Sequence, residues 1–496
     1  LPYNPALSKR QIAILERFVK RHGRLAVFYN SSAPLAAFLG FKTLPYATQA
    51  DTWHTVSFDT AAVPGLPACM AHYTQHLLPV RADSPDAHNV GRWLDADNNP
   101  DRSRPASAVS PRGVWFSHTP PLASPAAVQW LLAVLAAFDP ADVPLRDRFL
   151  AETAQRAAQV AGTLAAAPAP ANEIHAVWAR PLSARTRDED LAVLDAGGIN
   201  LLFEHLGTAG CALYNAGGVV PETGERRART QFARMLVSAR TNHLELHAWV
   251  ICWNLDGLPA DRVDALREEG RLMQDANGRK LPWLCPAHPA NRAALLALFA
   301  DLARRGVAGI HLDYIRYPAR EGCFCPRHRA AYEKHLGHSV PDWPADVLPG
   351  GSHATDFDKF RRDDLTAFVA EAAQTVRKTN PALRLSAAVF PTPAAAAENA
   401  QNWPAWLRNG SLDFACPMLY TPEPARFAAW LDQCLAAAPA DKILPGLGIG
   451  ADNSQLDALG TAQQIAAARA RKTPGFACFP LDANLSRLIL PALALP

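Results

Sequence analysis

From residue 173 onward, short apolar runs alternate with stretches of helical spacing eight times, and few folds accommodate that rhythm. The apolar runs at 174–179, 199–204, 244–252, 307–312, 383–390, 412–419, 443–449 and 475–480 read as strands. The segments 186–196, 228–242, 291–305, 357–379, 404–409, 424–437 and 461–471 read as helices, with a short eighth at 485–490. Strands that alternate with helices form parallel sheets, because each helix carries the chain back across the sheet. Eight such units over about 320 residues have the length and order of a closed (β/α)8 barrel. An open doubly wound sheet shares the alternation. The steady rhythm, with no Gly-x-Gly-x-x-Gly after the first strand, favours the barrel.

Residues 1–165 read as a separate α/β domain with an open, flavodoxin-like sheet. A helix is predicted over Ser8 to Arg21, a strand over Leu25 to Tyr29 and a helix opened by Ser31-Ser32-Ala33-Pro34. Further on come a strand over Gly113 to His118, a helix over Pro125 to Phe138 and another from Leu145 to Leu164. Ala165-Ala166-Ala167-Pro168-Ala169-Pro170-Ala171-Asn172 is a Pro/Ala linker, so the domains are expected at 1–165 and 173–496. The opening Leu1-Pro2-Tyr3-Asn4-Pro5 lacks the basic start and apolar stretch of a secretory leader, and the chain is expected to begin inside a domain, just after a strand.

With 49 Lys and Arg against 46 Asp and Glu, the net charge is +3, which gives nucleic acid no electrostatic footing. No apolar run is long enough to span a membrane. The 9 Cys, an odd number, do not make a disulfide scaffold, and Cys252, Cys416 and Cys478 sit in apolar strand settings. Cys323-Phe324-Cys325-Pro326-Arg327-His328 is different. Its C-x-C-x-x-H spacing suits zinc, a loop brace or a disulfide to a distant Cys, and no neighbouring Cys/His pair at finger-like spacing completes four ligands. No metal or cofactor is assigned to the site below.

In such a barrel the carboxyl ends of the strands carry the chemistry. The fourth strand ends in the densest group of functional side chains: His311, Asp313, Tyr314 and Arg316, with Tyr317 and Pro318 following. The other strand ends add Trp178 and Arg180; Glu204 with the loop residue Tyr214; Trp253 and Asn254; Tyr420 and Glu423; and Asp482. Paired acids with aromatic platforms fit glycosidic bonds, where one carboxyl must be protonated and one ionised. Asp313 is expected as nucleophile or general base and Glu204 as proton donor, with Glu423 and Asp482 as alternatives. Two readings compete with hydrolysis: a barrel that binds saccharide through the aromatic cleft without cleaving it, and a metal-dependent hydrolase. The latter is disfavoured because no His-x-His follows the first strand. The long segment 319–356, with Trp343 and several His, is expected to fold over the site as a wall.

Several segments resemble the glycosyl-hydrolase-like family 10 proteins of bacteria. The matching pieces are Glu173-Ile174-His175-Ala176-Val177-Trp178, Ala212-Leu213-Tyr214, His247-Ala248-Trp249, Trp253-Asn254, Leu284-Cys285-Pro286, the run Gly309 to Pro318, and Asp413-Phe414-Ala415-Cys416-Pro417-Met418-Leu419-Tyr420. The Cys323-Phe324-Cys325 segment is similar too, with His328 where such proteins often carry a third Cys. The first domain resembles a glutamine-amidotransferase-like domain but lacks a nucleophilic Cys at an elbow. The resemblance implies a glycosidase-type barrel of an exported, periplasmic or envelope protein. It implies action on a polysaccharide or peptidoglycan glycan, with Asp313 catalytic.

Overall fold

The computed structural model describes residues 7–94, 100–121, 124–180, 188–224, 231–318, 322–482 and 484–495. The chain divides into two compact units, Leu1–Ala158 and Gln159–Pro496.

The first unit is an open α/β domain. Its strands are β1 (Leu25–Phe28), β2 (Phe41–Thr43), β3 (Ala47–Phe58), β4 (Cys69–Leu77), β5 (Val80–Ala82), β6 (His88–Leu94), β7 (Pro100–Ser110) and β8 (Gly113–Phe116). Six of them form one sheet in the order β1-β8-β7-β6-β3-β4, and β2 pairs with β5. β1 and β8 pair in parallel, whereas the β8-β7-β6-β3-β4 run is antiparallel. Helix Lys9–Lys20 starts on a capping box in which Ser8 and Gln11 satisfy each other's backbone N–H groups. Helix Pro125–Phe138 buries Trp130 in a core with Val56, Trp93 and Phe116. The predicted helices and the strands β1 and β8 are present. The strands from 41 to 110 have no counterpart in the sequence expectation, because β3 and β7 are rich in polar residues and lack a clean apolar alternation.

The second unit is a parallel barrel. Its staves are β9 (Ile174–Ala179), β10 (Leu201–Thr208), β12 (Glu245–Ile251), β15 (Gly309–Asp313), β16 (Arg384–Val389), β17 (Phe414–Pro417), β18 (Gly446–Gly448) and β21 (Gly475–Phe479). Short accessory strands lie between them: β11 (Cys211–Ala212), the hairpin β13 (Leu272–Gln274) with β14 (Lys280–Leu284), and the hairpin β19 (Gly450–Ala451) with β20 (Ser454–Gln455). The staves follow one another in the order β17-β16-β15-β12-β10-β9-β21-β18. Single parallel bridges, Ala415 to Ile443 and Met418 to Gly446, join the two ends, so the ring closes without a full ladder there.

Strands covered on both faces read as continuous apolar runs. β10 shows why: every one of its residues is buried. Alternate positions face inward, and Trp178, Phe203, Trp249 and Phe414 fill the barrel interior. The other positions, such as Val177, Leu202, Ile310 and Leu312, pack under the surrounding helices. Where β9 enters the barrel, Glu173 bonds His175 Nε2 at 2.6 Å and Arg469 at 2.7 Å, tying the strand's start to the helix Ala458–Ala470. The segment after β15 is not a structureless loop. It contains helix Pro326–Leu336 and packs Phe324, Tyr332, Val340, Val347 and Phe357 into its own small core. Among the described residues no helix is long and apolar enough to cross a membrane.

Candidate active site

β15 sets the site through strand parity. Ile310 and Leu312 point outward, whereas His311 and Asp313 point inward. Asp313, the last residue of the strand, reaches the floor of a cleft of about 560 Å³ at the carboxyl end of the barrel. Ligand sites commonly fall in this size range. Trp249, from the neighbouring β12, donates its indole N–H to Asp313 Oδ2 at 3.0 Å. The backbone N–H of Tyr314 donates to Oδ1 at 2.6 Å. To make that turn Tyr314 adopts φ 48°, in the left-handed region. For a bulky residue this costs about 1–3 kcal/mol, which the surrounding packing must supply.

Burial is the largest influence on the Asp313 carboxyl and raises its pKa. The Tyr314 N–H, the Arg316 charge and the Trp249 N–H all act the other way, and burial outweighs them. The group is therefore held toward its protonated form. Among the described residues no ion pair joins Arg316 to Asp313. The Arg316 guanidinium instead sits 4.7 Å from the Tyr314 ring centroid, 4.9 Å from that of Phe390 and 5.3 Å from that of Trp283. Three aromatic faces thus hold a cation at the cleft edge.

The remaining lining is aromatic and polar. Trp178 and Trp249 form part of the base. Tyr420 stacks on Phe479 with centroids 5.5 Å apart at 13°, and Arg180 lies 5.6 Å from the same Phe479 ring. His205 stands against Trp249 at 5.0 Å, and burial pushes its pKa down to about 4, so it is neutral at pH 7. Burial also raises the Tyr314 and Tyr420 hydroxyls above their ordinary values, keeping both as neutral donors. At the rim lie two exposed carboxylates, Asp256 after β12 and Asp452 in the β19–β20 hairpin. The Asp256 charge acts on the Tyr314 hydroxyl. Asn453 fixes that hairpin by donating to the Tyr420 carbonyl at 3.0 Å.

Of the site residues expected from sequence, Asp313, Trp178, Arg180, Tyr314, Arg316 and Tyr420 meet in this cleft. The rest do not line it. Glu204 follows inward-facing Phe203 and pairs in register with Ala179 and Ala248, both in the outer layer, so its side chain is directed away from Asp313. Tyr214 donates to Asp301 at 2.7 Å beneath the helix Pro289–Arg304. Trp253 is fully buried against Phe368, 4.8 Å away, and is packing. Asn254 caps its own loop by accepting from the Asp256 N–H at 2.7 Å. His311 lies deeper in the barrel, accepting from Trp178 at 3.0 Å and bonded to Ser386 Oγ at 2.8 Å. Glu423 sits at the N-terminus of helix Pro424–Ala437 and pairs with Arg426 at 3.2 Å. Asp482 accepts from the Leu485 N–H at 2.8 Å. None of the described residues between 322 and 356 lines the cleft, so that segment is not its wall.

His205, Trp249, Asp256, Asp452, Asn453 and Phe479 complete the site without having been singled out as site residues. Parity finds the first two: each sits an even step from an inward residue of its strand, Phe203 or His247. The hairpin residues carry no comparable signal.

Fold and site define a parallel eight-stranded barrel with an aromatic cleft and a buried carboxyl at its carboxyl end. The chain belongs to the glycosyl hydrolase-like 10 family, which matches residues 171–458. It is similar in fold to the glycoside hydrolase domain of PgaB (BpsB) from Bordetella bronchiseptica, with a TM-score of 0.50 and 15% identity over 65% of this chain and 98% of that one. A β-galactosidase from Bacillus circulans sp. alkalophilus gives a TM-score of 0.45 at 13% identity, covering 62% of this chain and half (50%) of the enzyme. A chitinase from Chromobacterium violaceum gives 0.39 at 14% identity, over 65% of this chain and 98% of that one. No curated protein matches the chain.

Proposed function

We propose that the protein is a glycoside hydrolase acting on a polysaccharide or peptidoglycan glycan, with Asp313 as its general acid. The observation that carries this reading is the Asp313 carboxyl: buried, raised in pKa, and set at the floor of an aromatic cleft. A glycosidic oxygen leaves readily only when it is protonated, and a carboxyl kept protonated by burial suits that step near neutral pH. This reverses the role expected from sequence, where Asp313 was the ionised partner.

The second carboxyl in this reading is Asp256. It is exposed at the rim and acts electrostatically on Tyr314, which adjoins Asp313. A carboxylate at the rim can activate water or stabilise positive charge at the anomeric carbon. Tyr314, Tyr420 and Phe479 supply faces against which pyranose C–H groups pack. Family membership and the PgaB-like fold support a carbohydrate substrate. The envelope location rests on the family resemblance alone, and the same holds for a glutamine-amidotransferase-like character of residues 1–165.

The experiment is turnover on a panel of bacterial glycans, read as new reducing ends, by wild type, Asp313→Asn and Asp256→Asn. Loss in both variants with saccharide binding retained supports the assignment. Glycan binding without turnover by wild type overturns it and returns the non-catalytic binding barrel.

A further inference from the structure

We propose that Cys285, Cys323, Cys325 and His328 bind one zinc ion that fastens two loops behind the cleft. The four come from two stretches of the chain. Cys285 follows β14, Cys323 and Cys325 follow β15, and His328 is in the first turn of helix Pro326–Leu336. Their ligand atoms all lie within 4.8 Å of one another, and all four residues are buried. Cys285 Sγ is 3.7 Å from Cys325 Sγ and 3.2 Å from His328 Nδ1, and Cys325 Sγ is 4.0 Å from that nitrogen. A zinc tetrahedron with bonds of about 2.3 Å to sulfur and about 2.0–2.1 Å to nitrogen has edges of roughly 3.5–3.8 Å. Among the described residues this is the one group of three or more Cys, His, Asp or Glu side chains that converges in this way.

The surroundings are built for it. The Gln274 N–H points at Cys323 Sγ at 3.4 Å, and the His328 N–H points at Cys325 Sγ at 3.4 Å, as thiolate sulfurs require. His328 Nε2 meets the hydroxyl of fully buried Tyr317 at 2.9 Å, which orients the ring and leaves Nδ1 for the metal. Three thiols and an imidazole buried together without an ion would leave a set of weak, poorly matched hydrogen bonds. Four protein ligands leave no open position, which makes the site structural.

The ion would secure the cleft indirectly. Tyr317 belongs to the same short segment as Asp313, Tyr314 and Arg316. Trp283 of β14, two residues before Cys285, rests against Tyr314 at 5.5 Å and Arg316 at 5.3 Å. This proposal does not depend on the glycosidase reading, because its first readout is metal content.

The test uses the full chain, purified from zinc-supplemented cells and analysed by mass spectrometry for metal. One zinc per chain in wild type is expected, released by a mercurial that titrates thiols. His328→Cys keeps the zinc, whereas Cys325→Ser and His328→Ala lose it. Should those variants fail to fold, cobalt(II) added to chelator-stripped wild type decides the matter. Thiolate-to-cobalt charge transfer with the intense ligand-field bands of a tetrahedral site supports the proposal. A pale octahedral spectrum overturns it, as does zinc-free wild type or a Cys285–Cys325 disulfide found by peptide mapping. Hydrogen exchange should slow in 272–285, 314–318 and 322–336 when zinc is restored to the stripped protein.

Discussion

The inward and outward faces of the barrel strands carry the same kinds of residue and put them to opposite uses. On the inward face, Trp249 donates to a buried carboxyl that faces a cleft. On the outward side, Trp253, four residues further along the same stretch of chain, disappears into the strand–helix layer against Phe368. Asp313, at the end of β15, and Glu204, in the middle of β10, are both buried acids, yet only Asp313 is on an inward position. Parity along the strand decides which acid faces the cleft, whereas Trp253, an even step from Trp249, lies past the end of β12 and is turned into the outer layer by the loop. A barrel needs large apolar side chains in both layers, so a tryptophan alone says little about function.

That contrast is tested first by its largest expected effect. Asp313→Asn should lower turnover by about 10²–10⁴-fold, the usual contribution of a positioned proton donor. The same variant has a pH signature. Below the ordinary carboxylate pKa, Asp313 is protonated in both folded and unfolded chains and adds nothing to the difference between them. As pH rises, the unfolded chain ionises first, and the folded protein loses relative stability until Asp313 itself ionises above its raised pKa. Asparagine escapes this loss. The stability of the variant relative to wild type should therefore grow with pH across that window in denaturant melts. A gap that shrinks with rising pH contradicts a raised pKa.

Trp253→Ala addresses the outward side. Emptying that buried site should cost about 3–5 kcal/mol in stability. Saccharide affinity of the folded fraction, measured calorimetrically, should not change, and a several-fold loss would return Trp253 to the role of platform. A smaller effect is expected from Trp249→Phe, which removes a charge-assisted hydrogen bond of roughly 1.5–3 kcal/mol from the ionised form of Asp313. Its alkaline kcat/KM limb should move to higher pH, because the remaining influences on Asp313 favour the proton even more. Smallest of all, Glu204→Gln should leave turnover per folded molecule within about twofold, since a group outside the site adds no transition-state contact. Abolished turnover with an intact fold would reinstate Glu204 as donor.

The barrel was legible in the sequence because a parallel strand buried on both faces leaves a continuous apolar run, and each helix between leaves its own period. Asp313 was legible because polar and aromatic residues crowd directly after such a run. Glu204 misled because β10 runs on to Thr208, which makes Glu204 an outward mid-strand residue; Trp253 and Tyr214 misled because they lie beyond β12 and β11, where the chain turns them into the packing layer. Asp452 and Asn453 were hidden because a rim hairpin has no periodicity. The antiparallel strands of the first unit were hidden because β3 and β7 are polar on much of their length. Cys285 stood about 40 positions from Cys323, so the metal-ligand spacing of Cys323, Cys325 and His328 looked incomplete until the β13–β14 hairpin folded back.

The central claim is that Asp313 delivers a proton to the leaving sugar. It is tested most directly by comparing two glycosides of the hydrolysed sugar, one with a dinitrophenyl leaving group and one with an alkyl leaving group, on wild type and Asp313→Ala. A dinitrophenolate departs without protonation, whereas an alkoxide does not. The variant should keep most of its first-step rate on the aryl substrate and lose it on the alkyl one. Equal, severe loss on both would mean that Asp313 attacks carbon or activates water, and the general-acid assignment would fall.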